Sequence, residues 1–293
     1  MAAFFCRPVC YPHDDMATAR FLSIGLIGLC LLLPASSTRS QAPARAKLNS
    51  GLAVADGGAW RAILKGVEFR RIALERAEPN YLMELKLVRF DSHLIVPKIL
   101  AAEQFQLKTA NAKTFGEKSR ALATINASYF DEKGRPLAYL KTAEKEINRT
   151  VSRHALYTGV FGRRESIPFV THRDSFLPGD ATEALQSGPL LLYKSAPAEI
   201  SSGLGRYARR SVVGVDKEGR VIIGVTDTVV GGLSFAEMQE LFSAAKWEIE
   251  TPDLLNLDGG GSAQLYVKTG KFEEWLSGTT EVPVAIGFFS KAN

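Results

Sequence analysis

The sequence predicts an α+β fold: a single domain whose core is a mixed, mostly antiparallel β-sheet flanked by a few helices. Two observations lead to this prediction. Short runs of alternating apolar and polar residues recur along the chain, which is typical of strands that bury one face. Only one segment combines a helical spacing of apolar residues with a clear helix-start signal. With 293 residues and 46% hydrophobic content, the chain can build one large domain or two small ones.

The predicted ordered structure begins near Trp60 and consists mainly of strands. Residues 66–74 and 83–87 alternate, and residues 121–125 form a buried strand that ends at Asn126. Residues 211–227 predict a hairpin, because two valine-rich arms flank a polar turn. The other predicted strands are 157–161, 167–170, 190–193, 254–257, 263–267 and 282–289.

The clearest predicted helix follows Ser234. Ser234 and Glu237 form a Ser-x-x-Glu capping box, in which each side chain satisfies a free backbone N–H at the start of the helix. Apolar residues then repeat with helical spacing, which predicts a stripe that faces the core. Residues 98–119 are predicted to be partly helical, with Thr109 as the candidate N-cap.

The first 46 residues are predicted to be a leader and linker, and residues 47–293 the folded domain. Residues 21–33 form an almost unbroken apolar run after Arg20 and before small residues, which is the pattern of a secretory signal. The run is shorter than the roughly 20 residues that a membrane span needs. Met16 is the candidate true start, because the acidic residues before it suit a signal poorly. We therefore expect an exported protein, periplasmic or secreted, that meets a membrane only through an uncleaved leader.

Several classes of function are not predicted. All three cysteines lie in the leader, so the domain is expected to fold without disulfides or thiolate metal sites. The net charge of +5 is modest and no basic run reaches five residues, so no nucleic-acid surface is predicted. The sequence motifs of zinc proteases, serine hydrolases, P-loops and dinucleotide sites are absent. The histidines are scattered, and His154, the best placed, is expected to be structural.

The most informative stretch is Asp258-Gly259-Gly260-Gly261-Ser262, which follows a predicted strand. Ordering three glycines costs conformational entropy, so a backbone path with positive φ or a closely approaching ligand is expected. Free N–H groups beside a carboxylate also suit a bound phosphate. A tight turn between two strands explains the run equally well, and the sequence leaves both interpretations open.

Polar residues also end several other predicted strands. Each alone is more often a turn or solvent residue, but together they supply an arginine, carboxylates and amides around a glycine turn. This set suits a phosphorylated or sugar substrate. The candidate site residues are Asn126, Gln186, Gly188, Arg210, Asp227, Asn256, Asp258, Gly259, Gly260, Gly261 and Ser262.

These motifs, in this order, resemble those of the phosphodiester glycosidase family over most of the predicted domain. The Asn-Leu-Asp-Gly-Gly-Gly-Ser run of residues 256–262 is the most specific of them. One departure is Asn126-Ala127, where the family usually has Asn-Gly, so this loop is expected to differ slightly. The other matching segments are 126–131, 186–189, 210–215 and Asp227.

The resemblance implies a hydrolase that cleaves the sugar–oxygen bond of a glycosyl-1-phosphodiester, with envelope or exopolysaccharide glycans as the expected context. Arg210 and the amides of 259–262 would hold phosphate, and Asn126 and Gln186 would bind sugar hydroxyls or phosphate oxygens. Asp258 and Asp227 would act as base, nucleophile or stabiliser of the oxocarbenium ion. No cofactor is predicted with certainty, and a divalent cation at either aspartate stays open.

Two other functions also stay open at this point. The same fold could carry a non-catalytic carbohydrate- or envelope-binding protein, because a fold does not determine a function. A phosphodiesterase that cleaves the phosphorus–oxygen bond would need a similar set of phosphate-binding groups.

Overall fold

The computed structural model of the chain describes residues 46–78, 80–143 and 145–291, which form three antiparallel sheets and two α-helices. The strands, in chain order, are β1 (Ala46–Lys47), β2 (Ala53–Asp56), β3 (Arg61–Leu64), β4 (Val67–Arg76), β5 (Tyr81–Phe90), β6 (Ile95–Ala101), β7 (Ala123–Asn126), β8 (Leu140–Lys141), β9 (Glu146–Asn148), β10 (Gly159–Arg164), β11 (Ile167–His172), β12 (Glu183–Ser187), β13 (Leu190–Tyr193), β14 (Ala196–Pro197), β15 (Ser211–Val215), β16 (Val221–Asp227), β17 (Asp253–Asn256), β18 (Leu265–Thr269), β19 (Phe272–Leu276) and β20 (Val284–Ser290). The helices are α1 (Ala112–Ser119) and α2 (Phe235–Ser243), and short 3₁₀ turns occur at Ala102–Phe105, Arg173–Ser175, Pro178–Asp180, Ala245–Trp247 and Gly260–Ser262.

The largest sheet has ten strands, in the order β1-β2-β4-β5-β16-β15-β17-β13-β14 with β3 on the side of β4. The two smaller sheets have the orders β11-β10-β12-β8-β9 and β19-β18-β7-β20-β6. The strand pairs of all three sheets in the described part of the chain are antiparallel, which confirms the predicted antiparallel core. Strands dominate more than the predicted α+β class suggests, and the assignment of a single domain stays a prediction.

The large sheet buries both of its faces, because its strands carry apolar side chains on each. One face packs against the two smaller sheets, and the rings of Phe90 and Phe288 stack there with centroids 3.9 Å apart. The other face packs against α2, which contributes Met238, Leu241 and Phe242. This is the core-facing stripe that the sequence predicts, although the helix ends at Ser243. On the far side of the third sheet, α1 inserts Phe115.

The Ser234–Glu237 capping box is confirmed, and Glu237 does more than cap the helix. Its carboxylate accepts hydrogen bonds from Ser234 N–H at 2.9 Å and from the Ser50 hydroxyl at 2.9 Å. It also accepts two from Arg76 Nη2, at 2.8 and 2.9 Å, and both members of this ion pair are buried. Glu237 therefore joins α2, β4 and the N-terminal segment.

Two boundary predictions are wrong. Ordered structure begins before Trp60, because β1 and β2 precede it and pair with each other, and β2 also pairs with β4. The N-cap of α1 is Asn111, whose side chain accepts the Thr114 N–H at 2.8 Å, and Thr109 instead donates to Glu281. The prediction that residues 98–119 are partly helical is confirmed, since the end of β6 is followed by the 3₁₀ turn Ala102–Phe105 and by α1.

The predicted secretory run at residues 21–33 lies outside the described residues. No helix within 46–291 is long and apolar enough to cross a membrane. The ends of β7, β12 and β17 and the start of β15 carry the residues Asn126, Ser187, Asn256 and Ser211, all fully buried. The candidate site forms where these strand ends meet.

Replacing Glu237 with alanine is expected to lower the free energy of unfolding by about 3–5 kcal/mol, because it leaves the Arg76 guanidinium buried without its partner. Urea unfolding followed by tryptophan fluorescence measures the change. Glu273→Ala is the matched control: Glu273 pairs with Lys268 at 3.3 Å in an exposed position, so its loss should cost less than about 1 kcal/mol. Similar losses for both variants would contradict the central role of Glu237.

Candidate active site

The Asp258 carboxylate lies at the centre of the candidate site, two residues after β17 ends. Its Oδ1 accepts the Gly259 N–H at 2.9 Å, and the Ser262 hydroxyl also hydrogen-bonds to it. Burial raises the pKa of Asp258, and these two hydrogen bonds only partly oppose the shift. The site therefore contains a carboxylate that is largely withdrawn from water, which is a common property of catalytic groups.

The glycine turn after Asp258 is packed tightly. Gly260 has a φ of 58°, which confirms the expected positive φ. A Cβ atom at Gly259 would lie 2.7 Å from the Arg209 carbonyl oxygen, and one at Gly261 would lie 2.6 Å from Thr279 Oγ1. The glycines are therefore required by backbone conformation and by close approach of neighbouring atoms.

The predicted phosphate nest at this turn is not open in the structure. The Gly259 N–H donates to Asp258, the Gly260 N–H to the Arg209 carbonyl at 2.9 Å, and the Ser262 N–H to the Gly259 carbonyl at 3.1 Å. Three of the predicted phosphate donors are thus used inside the turn. The turn serves mainly to place and hydrogen-bond the Asp258 carboxylate.

Asn126 fastens the Asp258 loop to two sheets. Its Nδ2 donates to the Asp258 carbonyl at 2.6 Å, while its Oδ1 accepts from the Ser211 hydroxyl at 2.7 Å and the Gln264 N–H at 3.1 Å. The side chain is fully buried and all of these partners belong to the protein. Asn126 was predicted to contact substrate, but the structure uses it to position Asp258.

Asn256 has a similar internal role. Its Nδ2 lies 2.8 Å from the Gly188 carbonyl, 2.6 Å from the Leu257 carbonyl and 3.1 Å from the Tyr129 hydroxyl. Its Oδ1 is buried without a hydrogen-bond partner. Asn256 thus connects the end of β17 to Gly188 and Tyr129.

Gln186 and Gly188 hold a neighbouring segment in place. The Gln186 side chain donates to the carbonyls of Ser152 at 2.8 Å and Tyr157 at 2.7 Å, and accepts the Ser152 N–H at 2.8 Å. A Cβ atom at Gly188 would lie 1.9 Å from the Leu156 carbonyl oxygen, so only glycine allows this approach. Both were predicted as substrate-binding residues; the structure shows them positioning the segment that carries Tyr157.

Arg210 provides a buried positive charge. Its Nε donates to the Leu233 carbonyl at 2.8 Å, its Nη2 to the Arg206 carbonyl, and its guanidinium lies 3.8 Å from the centre of the Phe235 ring. Burial lowers the pKa of Arg210 to about 10. No ion pair within the described ranges involves this guanidinium. A buried cation without a carboxylate partner is costly, which makes the site favourable for an anionic ligand.

Asp227 is engaged by another charge. It lies at the end of β16, is 37% exposed, and pairs with Lys86 Nζ at 2.5 Å. The buried Lys86 also pairs with Glu274 at 2.9 Å. The structure therefore places the second predicted carboxylate in an ion-pair network with Lys86 and Glu274.

Two tyrosines complete the surroundings of Asp258, and sequence reasoning did not single them out. The rings of Tyr129 and Tyr157 lie 5.4 Å apart, and His154 packs 5.0 Å from Tyr157. Burial, and then the Asp258 charge, raise the pKa of both tyrosines, so their hydroxyls are neutral. A row of rings beside polar groups offers a surface for a sugar. The signal was present, since Tyr129 belongs to the 126–131 motif.

The remaining candidates have simpler outcomes. His154 is exposed, and its Nδ1 accepts the Leu156 N–H at 3.2 Å, so it shapes its own loop. No group of three His, Cys, Asp or Glu side chains in the described part of the chain is arranged to hold a metal ion. Among the described residues, therefore, no set of ligands can be assigned to the divalent cation that the sequence left open.

Comparison with known proteins is consistent with the sequence motifs. The family described as phosphodiester glycosidase matches residues 119–289. No curated protein matches in sequence. Two solved structures share the fold, each at 14% identity and a TM-score of 0.60: a hypothetical protein from Synechocystis, and the catalytic domain of zebrafish N-acetylglucosamine-1-phosphodiester alpha-N-acetylglucosaminidase auto-inhibited by its pro-peptide.

The extent of these matches differs. The match to the Synechocystis protein covers 78% of this chain and 62% of that chain, so this chain spans less than two thirds of its length. The match to the zebrafish domain covers 80% of this chain and 86% of that domain. At 14% identity, both show the fold alone.

The raised pKa of Asp258 predicts the pH dependence of stability. The folded state holds the Asp258 proton more tightly than the unfolded chain, so stability falls as pH rises from the unfolded pKa, about 3.9, to the folded pKa, and stays reduced above it. Asp258→Asn buries no charge and keeps an acceptor for the Gly259 N–H. We expect this variant to unfold at higher urea concentration than wild type at pH 7, with the difference shrinking below about pH 4.

Asp131→Asn provides a control of opposite sign. Hydrogen bonds from the Arg135 backbone and side chain lower the pKa of the exposed Asp131. This variant should be less stable than wild type at pH 7, and the deficit should vanish at acidic pH. Equal pH profiles for the two variants would show that burial of Asp258 does not determine the effect.

Proposed function

This chain belongs to the phosphodiester glycosidase family, and from that membership we propose that it is an exported hydrolase of glycosyl-1-phosphodiesters. The bond cleaved joins the anomeric carbon of a sugar to a phosphodiester oxygen. Envelope or exopolysaccharide glycans are the proposed context, and the periplasm or the medium the proposed location. The predicted secretory run at residues 21–33 supports export.

The observation that carries this proposal is that the Asp258 carboxylate and the buried Arg210 guanidinium both lie near the Tyr129 hydroxyl. Tyr129 lies close enough for both charges to affect its pKa. A phosphodiester bound at Arg210 would place a negative charge in direct contact with the guanidinium, on which Glu237 acts only without a direct ion pair. The sugar would then lie along Tyr129 and Tyr157, with its anomeric carbon toward Asp258.

The chemistry follows from this placement. Water adds to the anomeric carbon, the bond from that carbon to the phosphodiester oxygen breaks, and the products are a reducing sugar and a phosphomonoester. Phosphate is a good leaving group, so Arg210 contributes mainly by stabilising the charge on the departing phosphate. Asp258 acts at the anomeric carbon as base, nucleophile or stabiliser of the oxocarbenium ion.

The other predicted site residues support this arrangement indirectly. Asn126, Asn256 and Gln186 bind protein backbone around Asp258 and Tyr157. The assignment of Asp227 as a second catalytic carboxylate remains a proposal, and its ion pair with Lys86 makes it the weaker of the two candidates.

Asp258→Asn is expected to lower kcat/KM by at least about 100-fold, because it removes a group that stabilises the transition state. Turnover of UDP-GlcNAc and of simple glycosyl-1-phosphodiesters by the protein without its leader measures the effect. Asp227→Asn should lose less activity but more stability, since it leaves the buried Lys86 with one partner fewer. Asp180→Asn, at an exposed 3₁₀ turn, is the neutral control. If Asp227→Asn loses more activity than Asp258→Asn, Asp227 is the main catalytic carboxylate and Asp258 the weaker candidate.

The products and cofactor dependence separate the proposed function from the alternatives. A free reducing sugar indicates cleavage of the sugar–oxygen bond, whereas a sugar phosphate and an alcohol indicate phosphorus–oxygen cleavage. Each reaction is run with and without a chelator, so that a metal requirement is measured directly. Sugar binding without any turnover would support the non-catalytic binding protein.

Arg210→Gln is expected to weaken inhibition by inorganic phosphate by about 10- to 100-fold, because a charge-assisted hydrogen bond contributes about 1.5–3 kcal/mol. The inhibition constant for phosphate in the turnover assay measures this change. Arg149→Gln is the matched control, since the Arg149 side chain is 83% exposed and pairs with Glu146 at the surface. Equal phosphate inhibition in wild type and Arg210→Gln would place the phosphate elsewhere.

A further inference from the structure

A cavity of about 500 Å³ lies beside the candidate active site and contains none of the residues assigned above. Its walls come from residues 155–158, His172 and Arg173, residues 189–193, and the segment 196–202. This volume lies within the range of about 300–1,000 Å³ that is typical of small-molecule sites. The proposed reaction leaves this space unexplained.

The cavity and the active site share two chain segments. Tyr157 lies beside Asp258, while Leu156 and Thr158, its neighbours on either side, line the cavity. The Gly188 carbonyl is bound by Asn256, while the next residue, Pro189, lines the cavity. At two places along the chain, therefore, a residue of the active site is the direct neighbour of a residue that lines the cavity.

Exposed residues form the rim between the two spaces. His154 packs on Tyr157 on the active-site side, and the adjacent Ala155 lines the cavity. Arg173 also lines the cavity and donates through Nη1 to the His154 carbonyl at 2.6 Å, which braces the rim. A ligand anchored at Asp258 can extend across this rim without passing through the core.

The lining of the cavity has the mixed chemistry of a sugar site. The rings of Tyr193 and His172 lie 6.3 Å apart, inclined at 48°, and offer apolar faces to the carbon skeleton of a sugar. Hydroxyls and charged groups stand around them, from Thr158, Ser201, Ser202, Glu199 and Arg173. An acyl chain would leave these polar groups desolvated without partners, which is costly.

We infer that this cavity binds a second sugar residue of the substrate, so that the preferred substrate carries at least two sugars. The inference rests on the proposed function, because it takes the first sugar to lie at Asp258 and Tyr157. The second sugar is either the alcohol side of the phosphodiester or the extension of the glycosyl side. In both cases the group that occupies the cavity is a sugar.

The test compares three synthetic substrates. The first is a hexose 1-phosphodiester whose second ester is methyl; the second replaces the methyl group with a hexose; the third carries a disaccharide in place of the first hexose, with the methyl ester retained. The expected result is a higher kcat/KM for the second or the third substrate than for the first. The substrate whose kcat/KM is higher shows whether the second sugar in the cavity belongs to the alcohol side or to the glycosyl side of the phosphodiester.

Two variants connect any gain to the cavity. Tyr193→Ala removes the ring and is expected to reduce the gain about 5- to 10-fold, as suits the loss of one aromatic contact. Ala196→Trp fills the cavity from an exposed position of β14, so it should act the same way without removing a buried group. Tyr193→Phe keeps the ring and should retain the gain. Ala62→Trp, at an exposed position of β3, should leave the ratio between substrates at the wild-type value.

The outcomes separate this inference from the proposed function. Equal kcat/KM for all three substrates, or a gain that survives both Tyr193→Ala and Ala196→Trp, overturns the second sugar site while the hydrolase stands. If no substrate turns over, saturation-transfer NMR with the free disaccharide tests the cavity directly. Contact signals that disappear in Ala196→Trp but persist in Ala62→Trp support the site, and their absence in wild type overturns it.

Discussion

The whole site depends on the buried side chain of Asn126. This one amide joins the end of β7, in a five-stranded sheet, to the Asp258 loop and to Ser211 at the start of β15 in the large sheet. Its third hydrogen bond, accepted from the Gln264 N–H, holds the exit of the glycine turn. Because buried amide groups cost free energy unless all are paired, the two sheets can meet here in only one register. The position of the Asp258 carboxylate is thereby set by hydrogen bonds within the protein.

A second set of buried hydrogen bonds surrounds those of Asn126. Asn256 connects Tyr129 to the Gly188 carbonyl, and Gln186 connects β12 to the segment that carries Tyr157. The two tyrosines therefore face Asp258 from elements that are anchored separately. This arrangement keeps the aromatic surface and the carboxylate at a constant separation, which catalysis by preorganised groups requires.

Much of the fold could be predicted from local pattern, whereas the roles of the polar residues could not. Alternation located the strands, and the Ser234–Glu237 capping box located the start of α2, because both signals arise within a few residues. Polar residues of the motifs were correctly predicted to lie at the ends of strands. A sequence does not show whether an amide such as Gln186 points toward solvent or toward the backbone of a segment some thirty residues away, because that depends on packing. Tyr157 was missed for the same reason, since its place beside the Tyr129 ring comes only from packing.

The glycine run is accounted for by the backbone conformation that the sequence offered as one of its explanations. Positive φ at Gly260 and close approach at Gly259 and Gly261 explain the three glycines without any ligand. Three N–H groups of the turn donate to protein acceptors, one of them to Asp258, so the proposed anion-binding role falls mainly to Arg210. Burial works against the charge on both Asp258 and Arg210. Neither charge is neutralised by an ion pair with the other, and a phosphodiester whose sugar faces Asp258 would supply Arg210 with its missing counter-charge. In the proposed complex an anionic substrate would reduce the electrostatic cost of burying the Arg210 guanidinium, and this would favour ligands that carry a phosphate group.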